Sequence, residues 1–233
     1  MEKIVINDIE IELTKKNIKN LHLSVHPPDG KVKISAPYRM DMDTIRMFVI
    51  SKLSWIKRQQ NKFKNQERQP EREYVSGESH YFLGQRYLLN VIYTNRRKQG
   101  VEIRNKKYID LYVREKAPKH IRERVMTEWY RKQLKELIPH LIAKWELIMG
   151  VKVNEFGVKI MKTRWGTCNP RAKRIWINLE LAKKSPTCLE YIVVHEMVHL
   201  LEKSHNERFK AYMDKFMPNW RAIKSELNGI IFE

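Results

Sequence analysis

The sequence predicts an α+β fold of small antiparallel sheets and packed helices, because the period of its hydrophobic pattern changes along the chain. Residues 1–35 alternate apolar and polar side chains, with breaks at Asn-Asp and at Pro-Pro-Asp-Gly. This pattern is typical of short antiparallel strands. From Asp41 to about Gln66, apolar residues recur every three or four positions, which predicts a helix with Asp41 or Asp43 as its N-cap.

The strand pattern then returns and is again followed by a helical one. Residues 80–93 and 101–113 alternate in the manner of strands. An apolar stripe from Ile121 to Ile148 predicts a long helix that ends at Gly150, with a kink near Leu137 caused by Pro139. No internal repeat is visible in the sequence.

The carboxyl-terminal part predicts two further short strands, at 158–161 and 174–179, which flank the segment 163–173. We place a domain boundary near residue 115. Residues 1–115 form a predicted N-terminal β-rich region with one long helix, and residues 116–233 form the second predicted domain.

The next predicted helix runs to about Leu201 and has two possible starts. In one, Ser185 is the N-cap and Pro186 the first helical residue. In the other, Thr187 and Glu190 form a capping box.

The composition indicates a soluble, folded and strongly basic protein. The 233 residues carry a net charge of +19, spread over both halves of the chain, which would attract nucleic acid, nucleotides or other polyanions. No apolar run approaches the roughly 18 residues of a membrane span, and the first residues lack the pattern of a secretion signal. We therefore expect a cytoplasmic protein in which Cys168 and Cys188 are reduced.

The predicted helix that ends near Leu201 carries two histidines and a glutamate in the pattern HExxH. His195 and His199 are four residues apart, so on a helix both imidazoles can reach one ion. Glu196 lies on the apolar stripe of this helix, where an ionised carboxylate is costly unless a cation pairs with it. HExxH is the pattern of zinc proteases, in which the histidines bind zinc and the glutamate is the general base.

A catalytic zinc site needs a third protein ligand. The candidates are His205, Glu207, Asp214 and Glu226. A helix that continued past Leu201 would turn His205 away from His199, so the chain must turn first. Ser204 and Glu207 spell a second capping box, which would start a new helix with His205 at its first position.

Several segments resemble the YgjP-like predicted metal-dependent hydrolases, relatives of the SprT-like zinc metallopeptidases. They are TRWGTC, INLEL, VVHEMVHLLEKSH, NERFKAYM and, nearer the amino terminus, LGQRY. The chain departs from the family pattern at Thr167, where serine is usual, and at Met197-Val198, where Leu-Ala is usual.

The resemblance implies a C-terminal zincin-like metallopeptidase domain, in which helices pack on a small antiparallel sheet whose edge can bind an extended substrate. It implies a Zn²⁺ ion held by His195, His199 and His205. Glu196 would be the catalytic acid/base residue, accepting a proton from zinc-activated water.

Three further residues near the motif are candidates for contact with the substrate. Arg164 could act in catalysis by binding a substrate carboxylate or phosphate, or could pair with a backbone carbonyl or Glu180. Trp165 either packs in the core or stacks on the substrate. Asn178 either bonds to the substrate or braces the loop.

The leading functional hypothesis is a zinc-dependent hydrolase of the metallopeptidase type that acts on a peptide or related bond. One alternative is a nucleoside triphosphate pyrophosphohydrolase that uses the same metal site, suggested by the net charge and Arg164. The other alternative is a nucleic-acid-associated basic protein or protease. The expected partners are a peptide, protein or nucleotide substrate, and nucleic acid through the basic surface, but no membrane.

Overall fold

The computed structural model describes residues 2–26, 29–64, 72–95 and 99–229. The chain divides into two compact units, one within residues 1–70 and the other within residues 71–230. The boundary near residue 115 that the sequence predicts thus falls inside the second unit. The reason is that strands before this residue share one hydrophobic core with the helix after it.

The first unit is a four-stranded sheet followed by one helix. Its elements are β1 (Glu2–Ile6), β2 (Ile9–Lys16), β3 (His22–His26), β4 (Lys31–Pro37) and α1 (Met42–Lys64). The strand order is β1-β2-β4-β3. Asp41 is the N-cap of α1, as one of the two alternatives predicted, because its Oδ1 accepts a 2.7 Å hydrogen bond from the backbone N–H of Thr44. The predicted end of this helix at about Gln66, and residues 27 and 28 of the Pro-Pro-Asp-Gly break, lie outside the described residues.

The second unit begins with the same arrangement. Its first elements are β5 (Ser79–Phe82), β6 (Gln85–Tyr93), β7 (Gly100–Arg104), β8 (Tyr108–Val113) and α2 (Lys119–Met149). The strand order β5-β6-β8-β7 repeats that of the first unit, and the strands run in the same relative directions. The chain therefore contains a repeat of topology that its amino-acid sequence does not show.

The helix α2 ends where the sequence predicts. Gly150 adopts φ 67°, and its N–H donates to the carbonyl of Glu146 at 3.0 Å, which is a left-handed C-cap. The helix is continuous through Pro139. Its buried side chains, among them Leu134 and Ile138, belong to the main core of the unit.

The remaining elements of the second unit include the HExxH helix, α3. They are β9 (Glu155–Lys159), β10 (Gly166–Asn169), β11 (Arg174–Asn178), a 3₁₀ helix (Leu179–Lys183), α3 (Pro186–Val198), α4 (Glu207–Phe216) and α5 (Trp220–Gly229). The three strands form a sheet in the order β10-β11-β9. The strand β10 lies inside the segment 163–173, which the sequence left between two predicted strands.

The α+β class is confirmed, but the sheets are mixed and not antiparallel as predicted. Each of the three sheets contains one parallel pair: β2 with β4, β6 with β8, and β9 with β11. In the four-stranded sheets the third strand lies at the edge, and the hairpin that follows returns the fourth strand between the second and third. That return makes the second and fourth strands parallel.

None of the described helices is long and apolar enough to cross a membrane.

Candidate metal centre

The HExxH motif lies on α3, whose start is set by Ser185. The Ser185 Oγ accepts a hydrogen bond from the N–H of Cys188 at 3.4 Å, and Pro186 is the first helical residue. This confirms the first of the two predicted starts. Proline suits that position because its missing N–H has no partner in the first turn of a helix.

The helix ends at Val198, before the predicted end at about Leu201, and His199 is its C-cap. The chain then turns tightly, because the N–H groups of Leu201 and Glu202 both donate to the carbonyl of Val198 at 2.9 Å. The turn that the third-ligand hypothesis required is therefore present.

The next helix, α4, begins slightly later than predicted. Asn206 is its N-cap, and the Asn206 Oδ1 accepts a hydrogen bond from the N–H of Phe209 at 3.0 Å. The prediction that Ser204 caps this helix, with His205 at its first position, is wrong. Asn206 is the better cap because its side-chain oxygen reaches the free N–H three residues later. His205 consequently lies in the loop that precedes α4.

The three histidines converge. One ring nitrogen from each histidine lies within 4.8 Å of the corresponding nitrogens of the other two, and the Nε2 atoms of His195 and His205 are 2.9 Å apart. The ring centroid of His199 lies 5.1 Å from that of His195 and 4.7 Å from that of His205. Tetrahedral bonds of about 2.1 Å from nitrogen to a metal place the ligand atoms about 3.4 Å apart. The observed separations bracket this value, so small rotations of the rings suffice to bind one ion.

Two of the imidazoles have surroundings that suit a metal ligand. The Nδ1 of His199 lies 3.1 Å from the carbonyl oxygen of Glu202, which can only accept a hydrogen bond, so Nδ1 donates to it and Nε2 is the nitrogen left for a metal. Burial, together with the neighbouring His199 and His205, lowers the pKa of His195 to about 3 and keeps that ring neutral. Neutral imidazoles are the form that binds divalent metals, so the residues present fit such an ion.

The three acidic candidates for the third ligand are engaged elsewhere. Glu207 forms an ion pair within its own helix. Asp214 accepts a 2.7 Å hydrogen bond from the indole N–H of Trp220, and Glu226 accepts a 3.0 Å hydrogen bond from the hydroxyl of Ser185. Among the described residues, only the three histidines form a cluster with metal-binding geometry.

The carboxyl group of Glu196 is buried beside these histidines, and only 5% of the residue is exposed. Burial raises the pKa of Glu196 to about 8, although the positive charge of Arg164 acts in the opposite direction. The side chain lies directly against Gly166 of β10. A Cβ atom at residue 166 would approach Glu196 Oε1 to 2.6 Å and Cγ to 2.8 Å, so only glycine leaves room for the glutamate.

Asn178 braces the loop that leads into β10. Its side-chain N–H₂ donates to the carbonyls of Met161 at 2.9 Å and Arg164 at 2.8 Å. Its Oδ1 accepts hydrogen bonds from the N–H groups of Met161 and Glu180 at 3.3 and 3.2 Å. These bonds occupy the buried amide group, which corresponds to the bracing role considered for it and not to contact with the substrate.

The site opens into a cleft of about 680 Å³. The cleft is lined by Arg164, Trp165, Gly166, Thr167, Cys168, Pro170, Tyr191, Ile192, His195, Glu196, His199, Lys203, His205, Lys224, Leu227 and Asn228. Of the three predicted substrate contacts, Arg164 and Trp165 line it and Asn178 does not. Sequence reasoning missed Tyr191, Lys203 and Lys224; only Tyr191 had a local signal, since it lies one helical turn before His195.

The sequence matches the YgjP-like family, described as a metallopeptidase domain, over residues 19–229. The chain belongs to this family. It is accordingly a metal-dependent hydrolase of the peptidase type. The YgjP-like match begins at residue 19 and includes residues of both compact units, so it does not confirm the C-terminal placement that the sequence predicts for the metallopeptidase domain.

Two solved structures are also similar to this YgjP-like chain. The metallopeptidase zymogen of Pyrococcus abyssi abylysin aligns with a TM-score of 0.37 and 17% identity, over 39% of this chain and 90% of that chain. The metallopeptidase zymogen of Methanocaldococcus jannaschii jannalysin aligns with a TM-score of 0.34 and 18% identity, over 39% of this chain and 92% of that chain. Among the curated proteins, none matches the sequence.

Proposed function

We propose that this protein is a zinc-dependent peptidase in which His195, His199 and His205 hold the metal and Glu196 accepts a proton. The observation that carries the proposal is the convergence of three histidine side chains beside one buried glutamate side chain. Three protein ligands leave the fourth position of a tetrahedral zinc ion open, which is the arrangement of catalytic sites.

A bound zinc ion would acidify a water molecule and polarise the substrate carbonyl. The side chain of Glu196 takes the proton from the attacking water and delivers it to the nitrogen of the leaving amine. Packing against Gly166 restricts the position of the Glu196 carboxyl group. The carbonyl of Glu202 fixes the ring of His199 in the same way.

The edge strand β10 provides a place for an extended peptide. Within the described part of the chain, β10 has a neighbour only on its β11 side. The carbonyl of Trp165 points toward β11, where it accepts a 2.9 Å hydrogen bond from the N–H of Asn178. Because backbone groups alternate along a strand, the N–H and C=O groups of Gly166 and Cys168 point outward. These groups can pair with a substrate backbone that lies along the cleft.

Arg164 and Trp165 are the side chains that we assign to substrate contact. Arg164 is exposed and lines the cleft, and its positive charge opposes the burial that raises the pKa of Glu196. A guanidinium group in this position can bind a carboxylate or a carbonyl of the substrate. Trp165 presents part of its ring to the cleft and the remainder to the core.

The test is the substitution Glu196→Gln in protein loaded with zinc, with casein and short peptides as substrates. We expect the variant to retain about one zinc ion per chain and to lose hydrolysis by at least about 100-fold, the usual contribution of a general base. Glu207→Gln, in an exposed ion pair on α4, is the matched control and should retain activity. Full hydrolysis by Glu196→Gln would refute the proposed role of this carboxylate.

The family match supports a peptide or protein substrate and gives no support to a nucleotide or to nucleic acid. Nucleoside triphosphates are therefore tested as alternative substrates in the same assay. Hydrolysis of a triphosphate, with no peptide cleaved by the zinc-loaded wild-type protein, would overturn the peptidase assignment.

A further inference from the structure

The cleft is lined by three cationic side chains: Arg164, Lys203 and Lys224. Glu196 is the only acidic residue among the described residues that line it. Because Glu196 is buried against Gly166, its carboxylate is not placed to pair with the exposed lysines. The entrance to the cleft therefore carries an excess of positive charge.

These three cations also differ from many of the basic residues around them, which have acidic partners. Lys210 pairs with Glu207 at 2.6 Å, and Arg221 pairs with Asp214. Within the ranges that the structure describes, Arg164, Lys203 and Lys224 form no ion pair with a carboxylate; Lys224 lies 5.6 Å from the ring centroid of Trp220.

The three cations reach the cleft from three different segments of the chain. Arg164 precedes β10 and acts electrostatically on Glu196. Lys224, on α5, acts electrostatically on His195 and His205, and Lys203 lies in the loop between α3 and α4 that carries His205. Unpaired cations at a concave surface focus the electrostatic field and raise the local concentration of anionic ligands.

We propose that Lys203 and Lys224 form an anion subsite that selects peptides with a carboxylate close to the bond that is cleaved. This inference rests on the proposed peptidase function and adds the substrate class. Two sources supply the same chemistry: the side chain of an aspartate or glutamate residue, and the free carboxyl terminus of a peptide. We assign Arg164, whose charge acts on Glu196, to the substrate groups next to that residue.

The experiment compares peptides of one length in three forms with zinc-loaded protein. The first form is neutral and amidated, the second is amidated with one internal glutamate, and the third is neutral with a free carboxyl terminus. We expect kcat/KM for one of the two anionic forms to exceed that for the neutral form by about tenfold at low salt. The preference should decline as added salt screens the cations.

Two variants test which side chains are responsible. Lys203→Gln and Lys224→Gln should each lower the ratio of kcat/KM for the preferred anionic peptide to kcat/KM for the neutral peptide by about threefold, the usual effect of one exposed charge. Lys135→Gln is the matched control, because Lys135 is an exposed lysine of α2 outside the cleft. Circular dichroism is used to check that each variant is folded.

The outcomes separate this inference from the function on which it rests. Equal turnover of neutral and anionic peptides, or a preference that both lysine variants retain, would overturn the anion subsite and leave the peptidase intact. Failure of the zinc-loaded protein to cleave any of the peptides would instead overturn the peptidase.

Discussion

Replacing Gly166 with alanine adds one methyl group at the point where β10 meets the proposed base. The new Cβ would lie 2.6 Å from Glu196 Oε1, whereas ordinary contacts begin at 3.4 Å, so the carboxylate must retreat by about 0.8 Å. Misplacement of a catalytic group by about 1 Å costs about 100-fold in rate. We therefore expect Gly166→Ala to lower kcat/KM by about 100-fold and to retain bound zinc, because none of the three histidines is among the nearest contacts of the added methyl group.

The assay measures kcat, KM, zinc content and the thermal unfolding midpoint of the same preparation. Gly100→Ala in β7 is the matched control, because a Cβ at residue 100 meets no atom within 4 Å. A folded, zinc-loaded Gly166→Ala protein with unchanged kcat/KM would refute the reasoning, since it would show that Glu196 does not need its observed position.

Two further predictions concern metal binding and pH. His205→Ala should weaken zinc binding at least tenfold in competition with a chromophoric chelator, because it removes one of three ligands; unchanged affinity would exclude His205 from the site. Burial, and secondarily the charge of Arg72, lowers the pKa of His80 from 6.5 to about 4, against the opposing effect of Glu78. As the pH falls, the His80 imidazole therefore takes up a proton in the unfolded chain before it does so in the folded chain. This difference lowers the free energy of unfolding by at most about 3 kcal/mol between pH 7 and pH 4. Chemical denaturation of wild type and His80→Gln across this range measures the difference, and parallel pH profiles would contradict the prediction.

The parts of the fold that the sequence predicts correctly are those set by local signals. The start of α3 follows from Ser185 and Pro186, and the end of α2 follows from Gly150, because each residue favours the backbone conformation at its own position. The convergence of His195 with His199 follows from their spacing on a helix. No local signal places His205 beside these two histidines. That position follows only from the argument that a third ligand requires the chain to turn after Leu201.

The parts that the sequence did not predict depend on contacts between distant residues. Alternation of apolar and polar side chains shows that a segment is a strand but not which strand it pairs with, so the parallel pairs were missed. The strand β10 has four residues, too few for a visible period. Lys224 reaches the cleft from α5, and no local pattern links it to a motif that ends at His205.

The residues that line the cleft belong to only one of the two compact units. Every described residue that lines the cleft lies between 164 and 228, whereas the first unit closes its own core around residues such as Ile11, Ile34 and Ile56. Mutations on the outside of the first unit consequently leave the chemical lining of the cleft unaltered. Substitutions within residues 1–70 can therefore accumulate in evolution without replacing any described side chain that lines the cleft.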